Sequence, residues 1–259
     1  MQGDVRLAVI FGRIISAIGR RDTEGFERGA REMVRSTLGV LATRAFLVVV
    51  LVSACSGEGG GAIDTSAPWS TNAATTPPPE AATLRLSDFP AGWMAEPHDI
   101  DDSSPCVPQL TPVAEARSEG FSKDISVAEA RNTVFVFATA DEVRDQFVKL
   151  REQKVTDCFR AELAEQVAEG AAGEKAMKVT DLQFGPISTS AAWGDEAVAF
   201  QSKISLVIGS ITASAYTDLI FVRVGRVASL LVFSDVRAPF DDGLRDSLIV
   251  ATAQRMQAR

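Results

Sequence analysis

Histidine is nearly missing from this chain: His98 is the single one among 259 residues. A triad built on imidazole would have to use it, and a zinc site sharing several histidines is excluded. It sits in Glu96-Pro-His-Asp-Ile-Asp-Asp-Ser-Ser-Pro-Cys106, a loop by composition. Ser-x-x-Lys, Gly-x-Ser-x-Gly, His-Glu-x-x-His and the phosphate-cradling Gly-x-x-x-x-Gly-Lys occur nowhere, which removes the commonest hydrolase and nucleotide-binding signatures. No basic stripe with interleaved aromatics is present, and the net charge is −8, so nucleic acid is not an expected partner. Cysteine is scarce as well: there are three and no Cys-x-x-Cys, which argues against a redox-active pair. No internal repeat is visible.

What is present is unevenly spread. Apolar residues make up 46% of the chain, enough for a core. Residues 38–54 are almost all apolar or small, whereas 56–82 hold little that packs. Residues 1–54 carry eight Arg against five acids, and the rest is strongly acidic. Acidity keeps such a domain soluble and away from anionic surfaces; it names no partner.

From Met33 the sequence has the layout of a secretory signal. Arg35 and Arg44 precede an unbroken apolar run, residues 45–52, followed by Ser53, Ala54 and Cys55. The run is short for a membrane-spanning helix, which needs about 20 apolar residues. Val52-Ser53-Ala54-Cys55 resembles the lipobox of bacterial lipoproteins, with Leu51 before it. The resemblance implies cleavage before Cys55, acylation of its sulfur and attachment to the outer face of the cell membrane. Residues 1–54 are thus expected to be a signal region. A start at Met33 would give it normal length; an extended signal is the alternative.

If Cys55 carries lipid, Cys106 and Cys158 remain, and outside the cytoplasm they are expected to pair. Such a bridge closes a loop of about 50 residues, worth roughly 4 kcal/mol on the chain-entropy model. Residues 55–82, the lipidated cysteine and a Gly, Ser, Thr and Pro tether, bury too little to fold. A flexible coil of that length spans roughly 30 Å.

A single extracytoplasmic domain is expected over 83–259. Leu86-Ser-Asp-Phe-Pro-Ala-Gly-Trp93 reads as a capped turn stopped by Gly92. Thr133-Val-Phe-Val-Phe-Ala-Thr139 reads as a strand, and Thr139-Ala-Asp-Glu142 as a capping box opening one helix that fades by Gly170 and Gly173. Its apolar stripe is Val143, Phe147, Leu150, Val155, Cys158 and Leu163. The period then becomes two. Val198, Phe200, Ile204 and Leu206 share one strand face, with Ala197, Ala199, Gln201 and Lys203 on the other. Ile211 to Val224 and 226–233 read as two strands joined at Gly225. Pro239-Phe-Asp-Asp-Gly opens a last helix, with Leu244, Leu248 and Ala251 on one face. The order predicts an α+β fold: an antiparallel sheet of about five to six strands with helices packed on one face.

Three amphipathic aromatics in this domain, Trp93, Trp193 and Tyr216, are candidates to line a cleft for a hydrophobic small molecule or an envelope component. A core role competes with that reading, above all for Trp93. Glu96, His98, Asp99, Asp101 and Asp102 imitate the start of a calcium loop, but its glycine and closing glutamate are missing, so the stretch reads as a solvated loop and no metal is expected. Arg223 and Arg226 flank the last hairpin and read as edge-strand charges. No cofactor and no catalytic residue are expected. A hydrolase would have only paired carboxylates such as Asp99 and Asp101 to work with.

Three stretches carry a family resemblance. Leu86-Ser-Asp-Phe-Pro-Ala-Gly-Trp93 resembles the L-x-D-L-P-x-G-W opening of actinobacterial extracytoplasmic lipoproteins and sensor domains. Phe135-Val-Phe-Ala-Thr-Ala-Asp-Glu142 resembles their strand-to-helix step, and Phe221-Val-Arg-Val-Gly-Arg-Val227 their late hairpin. The relatives in question are the extracellular sensor domains of mycobacterial serine/threonine kinases and the PsbP-like, Lpq-type lipoproteins. The resemblance implies an antiparallel sheet flanked by helices, and a binding or sensing module at the envelope. The kinase sensor domains usually hold two disulfides; this chain has cysteines for one. A hydrolase and a structural envelope protein are the alternatives.

Overall fold

A computed structural model describes residues 78–97, 104–107, 111–123, 128–173, 177–208 and 210–257. The stretches expected to be a signal region and a tether, with Cys55, lie outside these residues apart from the tether's last five positions, as does the stretch 98–103. Among the described residues, the first packed side chains are Ala82, at the end of a 3-10 turn at Pro79–Ala82, and Leu84.

The strands are β1 (Trp93–Glu96), β2 (Ala114–Arg117), β3 (Gly120–Lys123), β4 (Ala128–Val136), β5 (Met177–Pro186), β6 (Glu196–Ile208), β7 (Ile211–Val224) and β8 (Val227–Asp235). They form one eight-stranded sheet in the order β1-β3-β4-β8-β7-β6-β5, with β2 also on β4. Every pairing is antiparallel. The helices are α1 (Ala140–Leu150), α2 (Gln153–Gly173) and α3 (Asp242–Gln257).

The α+β class and the antiparallel sheet agree with the sequence reading. The sheet has eight strands rather than five to six, and helices lie on both of its faces. The reason for the second difference is visible in β8. Val227, Leu231 and Phe233 belong to one apolar cluster, and Ala228, Leu230 and Val232 to another. A strand buried on both sides reads as a continuous apolar run, not as an alternation, and needs cover on each face. On the first face the cover is α3, through Leu248, Ile249, Ala253 and Met256. On the second it is α1 and α2, through Val143, Phe147, Leu150, Val155 and Phe159.

The added strands are short. Strands β2 and β3 lie end to end along the same side of β4, and their registers differ by one residue. Residues 118–120 therefore oppose only Arg131 and Asn132, the signature of a β-bulge. The Ser118 hydroxyl accepts the Asn132 N–H at 2.9 Å, and the Ser118 N–H donates to the Asn132 carbonyl at 2.9 Å. The kink thus costs no backbone hydrogen bond at that residue.

The helix expected after Thr139 is two helices. Its cap is present: Thr139 Oγ1 accepts the Glu142 N–H at 3.2 Å. The stripe Val143, Phe147, Leu150 would continue to residue 154, which is Lys; the next buried residue is Val155. A break at Arg151 and Glu152 absorbs that slip of one residue. The buried stripe of α2 then includes Val155, Phe159 and Val167, with Cys158 beside it. Helix α3 opens where expected, capped by Asp241 Oδ1 accepting the Leu244 N–H at 2.7 Å. Its buried face is centred on Ile249 and Thr252 instead of Ala251.

Candidate functional site

Cys55, the residue expected to carry lipid, and the preceding Val52, Ser53 and Ala54 fall outside the described residues, as do His98, Asp99, Asp101 and Asp102. Among the described residues no three His, Cys, Asp or Glu side chains are grouped to hold a metal ion. No described helix is long and apolar enough to cross a membrane.

Cys106 and Cys158 form a disulfide, with Cα atoms 5.5 Å apart. The bridge ties the segment after β1 to the first turns of α2. Cys106 is buried against the same cluster as Phe159 and Phe184. The Glu162 carboxylate, one turn along α2, lies 3.4 Å from Cys106 Sγ and also accepts the Ser104 hydroxyl.

The three aromatic candidates occupy separate places. Trp93 is buried under α3, its ring 4.7 Å from Phe89 and 5.9 Å from Phe240. Phe240 continues to Phe233 at 5.0 Å, and Phe89 to Phe121 at 4.7 Å, so Trp93 is one ring in an aromatic chain through the core. Trp193 is buried in the same cluster from a 3-10 turn at Ala191–Trp193. Tyr216, on β7, is only half-buried. The register runs Trp93, Lys123, Ala128, Asp235, Tyr216 across five neighbouring strands. Four strand spacings put Trp93 and Tyr216 about 19 Å apart. Trp93 and Tyr216 are thus not brought together, and both tryptophans are buried in the core.

Tyr216 instead belongs to a polar area on the α3 face of the sheet. Directly opposed residues of antiparallel strands point to the same side. The row through Tyr216 continues to Lys203 on β6 and Gln183 on β5. The neighbouring rows bring Asp218 beside Gln201, and Ser214 beside Ser205 and Asp181. Four contacts knit this area. Gln201 Nε2 donates to Asp218 Oδ1 at 2.8 Å, Arg245 Nη1 from α3 donates to Asp218 Oδ2 at 2.8 Å, Gln183 Nε2 donates to Asp181 at 2.7 Å, and the Ser205 and Ser214 hydroxyls are 3.2 Å apart. Asp218 is 1% exposed, so its charge depends on Arg245. The alternation of Gln201 and Lys203 against Phe200 and Ile204 was visible in the sequence. What it could not disclose was the register that lines them up with Tyr216 and Asp218.

Arg223 is not an edge-strand charge. Its strand lies inside the sheet, and its side chain is 8% exposed. Nη2 donates to Glu196 at 2.9 Å and Nη1 to the Gly225 carbonyl at 3.0 Å. Asp195, 3.5 Å from Nη1, accepts the Gly225 N–H at 2.8 Å. The group therefore locks the β7–β8 turn, where Gly225 has φ of 57°. Arg226 is half-buried, its Nη1 3.5 Å from the Phe137 carbonyl.

No known family model matches the chain, and no curated protein matches it. Among solved structures it is similar to the extracellular domain of PknH from Mycobacterium tuberculosis, at 10% identity and a TM-score of 0.31. The match covers 54% of this chain and 65% of that domain, so the chain spans less than two thirds of it.

Proposed function

We propose that this chain is an exported module, anchored by lipid on Cys55 to the outer face of the cell membrane, which binds or senses an envelope component or a hydrophobic small molecule and does no chemistry of its own. The observation that supports it is the use of the cysteines. Cys106 and Cys158 are joined, and the third, Cys55, directly follows Val52-Ser53-Ala54 and a basic-then-apolar stretch. A disulfide of this kind persists in oxidising compartments. The acidity of the chain beyond the signal fits a domain held off an anionic surface by its tether.

Intact mass spectrometry of the protein extracted from membranes tests the anchoring. The expected mass lacks residues 1–54, carries a diacylglycerol group with or without a further palmitoyl chain, and is two hydrogens short of the reduced form. Cys55→Ala should abolish the lipid mass and leave an uncleaved, poorly retained chain. Recovery of the full-length, unacylated, reduced protein from the cytosol would overturn the reading.

A further inference from the structure

The disulfide has a charged neighbour. Glu162, one turn along α2 from Cys158, holds Oε2 3.4 Å from Cys106 Sγ. A disulfide sulfur carries no proton, so this contact is not a hydrogen bond; a negative oxygen lies against an atom with nothing to donate. Two true donors fix the carboxylate there. Ser104 Oγ donates to Oε2, and Gln166 Nε2 donates to Oε1 at 3.2 Å. Ser104 Oγ in turn accepts the Cys106 N–H at 3.1 Å, so the serine ties the carboxylate to the segment that carries the sulfur.

No cation cancels this charge. Among the described residues Glu162 has no ion-pair partner. Lys154, one turn before Cys158, pairs with Glu152 at 2.6 Å, and Arg160 pairs with Asp157 at 3.0 Å and reaches the Phe184 carbonyl at 3.2 Å. Residues 104–107 are Ser, Pro, Cys and Val, which bring no charge of their own.

Reduction by a thiol is an exchange. A thiolate attacks one sulfur, the S–S bond breaks, a mixed disulfide forms and the other cysteine leaves as a thiolate. A second thiolate then attacks the mixed disulfide. Both cysteines end reduced and take protons from water, and the two reductant molecules end oxidised as their own disulfide. Attack on the half-buried Cys158 puts the departing negative charge on Cys106, beside Glu162. Attack on Cys106, only 6% exposed, brings the attacker's own charge up to the same carboxylate. Like charges this close oppose each other, and the opposition is stronger where water is partly excluded.

We propose that Glu162 is an electrostatic guard that slows thiol reduction of the Cys106–Cys158 bridge, most of all by anionic thiols. It is a redox-protective device built on α2, and it does not depend on the anchoring or on the binding role.

The test is the rate at which the oxidised full chain, purified in non-ionic detergent, is reduced by glutathione, 2-mercaptoethanol or cysteamine, followed by alkylation and intact mass. The glutathione thiolate carries two net negative charges, that of 2-mercaptoethanol one, and that of cysteamine none. Taking the ratio of variant to parent for each thiol cancels its intrinsic reactivity. Glu162→Gln keeps an oxygen to accept Ser104 and removes the charge. It should speed reduction about tenfold with glutathione, about threefold with 2-mercaptoethanol and about twofold or less with cysteamine. The spread among the thiols should shrink in about 1 M salt. Glu165→Gln, an exposed change on the same helix, should react like the parent. Circular dichroism of the oxidised variants verifies that they are folded. Unchanged rates in Glu162→Gln overturn the proposal. So does an equal acceleration with all three thiols, which would make Glu162 merely a clasp for the Ser104 segment. An equal effect of Glu165→Gln overturns it too, because the protection would then belong to the overall acidity of the domain.

Discussion

Arg255, in the last turns of α3, grips Asp88 at the beginning of the domain with both ends of its guanidinium: Nη1 to Oδ1 at 3.1 Å and Nη2 to Oδ2 at 2.8 Å. Asp88 Oδ2 also accepts the Arg85 N–H at 2.9 Å. One carboxylate thus shapes the turn of Leu86-Ser-Asp-Phe-Pro-Ala-Gly-Trp93 and ties it to a helix 167 residues away in sequence. The aromatics of that motif then enter the core within a few residues, Phe89 against Trp93 and Phe121.

Asp88→Ala should therefore destabilise the domain by about 1–3 kcal/mol, since a charge-assisted, bidentate contact and a turn acceptor are lost together. Arg255→Lys should recover only part of the loss of Arg255→Ala, because an ammonium cannot match both oxygens. Urea unfolding followed by tryptophan fluorescence reads both. An Asp88→Ala variant as stable as the parent would show the pair to be a surface ornament.

The disulfide should matter about as much as the most deeply buried ion pair. It closes a separation of 52 residues, and the chain-entropy model gives about 4 kcal/mol for such a loop. Cys106→Ala with Cys158→Ala, or reduction of the parent, should lower the urea midpoint accordingly and release the segment around Ser104 from α2. Limited proteolysis should then cut near residues 98–110 in the reduced form and spare the oxidised one. Equal midpoints with and without reductant would contradict this.

How far the fold was legible depended on strand length and on partners far away in sequence. Strands β6, β7 and β8 run 9–14 residues each, long enough for their period and their β-branched content to speak. Strands β2 and β3 are Ala-Glu-Ala-Arg and Gly-Phe-Ser-Lys. Neither carries a β-branched residue, and the first has a helix-former's composition. They exist because β4 offers a free side and Ser118 and Asn132 complete the bulge between them. That is a tertiary effect no local pattern reveals. The same holds for the charges. Arg223 beside a hairpin glycine looks like an edge charge until the sheet order puts two strands on one side of β7 and five on the other. The Cys106–Cys158 pairing was legible once Cys55 was set aside as the expected lipid site, and the polar area around Tyr216 was not, because it is defined by register.

Gly194 should be intolerant of any side chain. Its φ is 122°, and a Cβ built on it would sit 2.7 Å from the Arg223 carbonyl oxygen and 3.1 Å from methyl groups of Val222 and Val224. Both the backbone conformation and the closeness of β7 require glycine there. Gly194→Ala should cost at least about 2 kcal/mol and loosen the adjoining Trp193, seen as a red shift of its emission. A loss under about 0.5 kcal/mol, within the range of neutral surface changes, would refute the close approach.

Asp218 and Arg245 offer a test of how a buried charge is tolerated inside this sheet. Asp218 is 1% exposed and Arg245 12%, and the guanidinium also reaches Asp242 at 2.8 Å. Removing Arg245 strands the buried Asp218 carboxylate, whereas Arg245 keeps Asp242 when Asp218 is lost. Arg245→Leu should therefore cost about 3–5 kcal/mol, and Asp218→Leu less. Replacing both removes the unpaired charge, so the double variant should be less damaged than the sum of the singles, with a coupling of at least about 1 kcal/mol. The complete cycle is measured by urea unfolding, and additive single costs would mean that the two charges do not depend on each other.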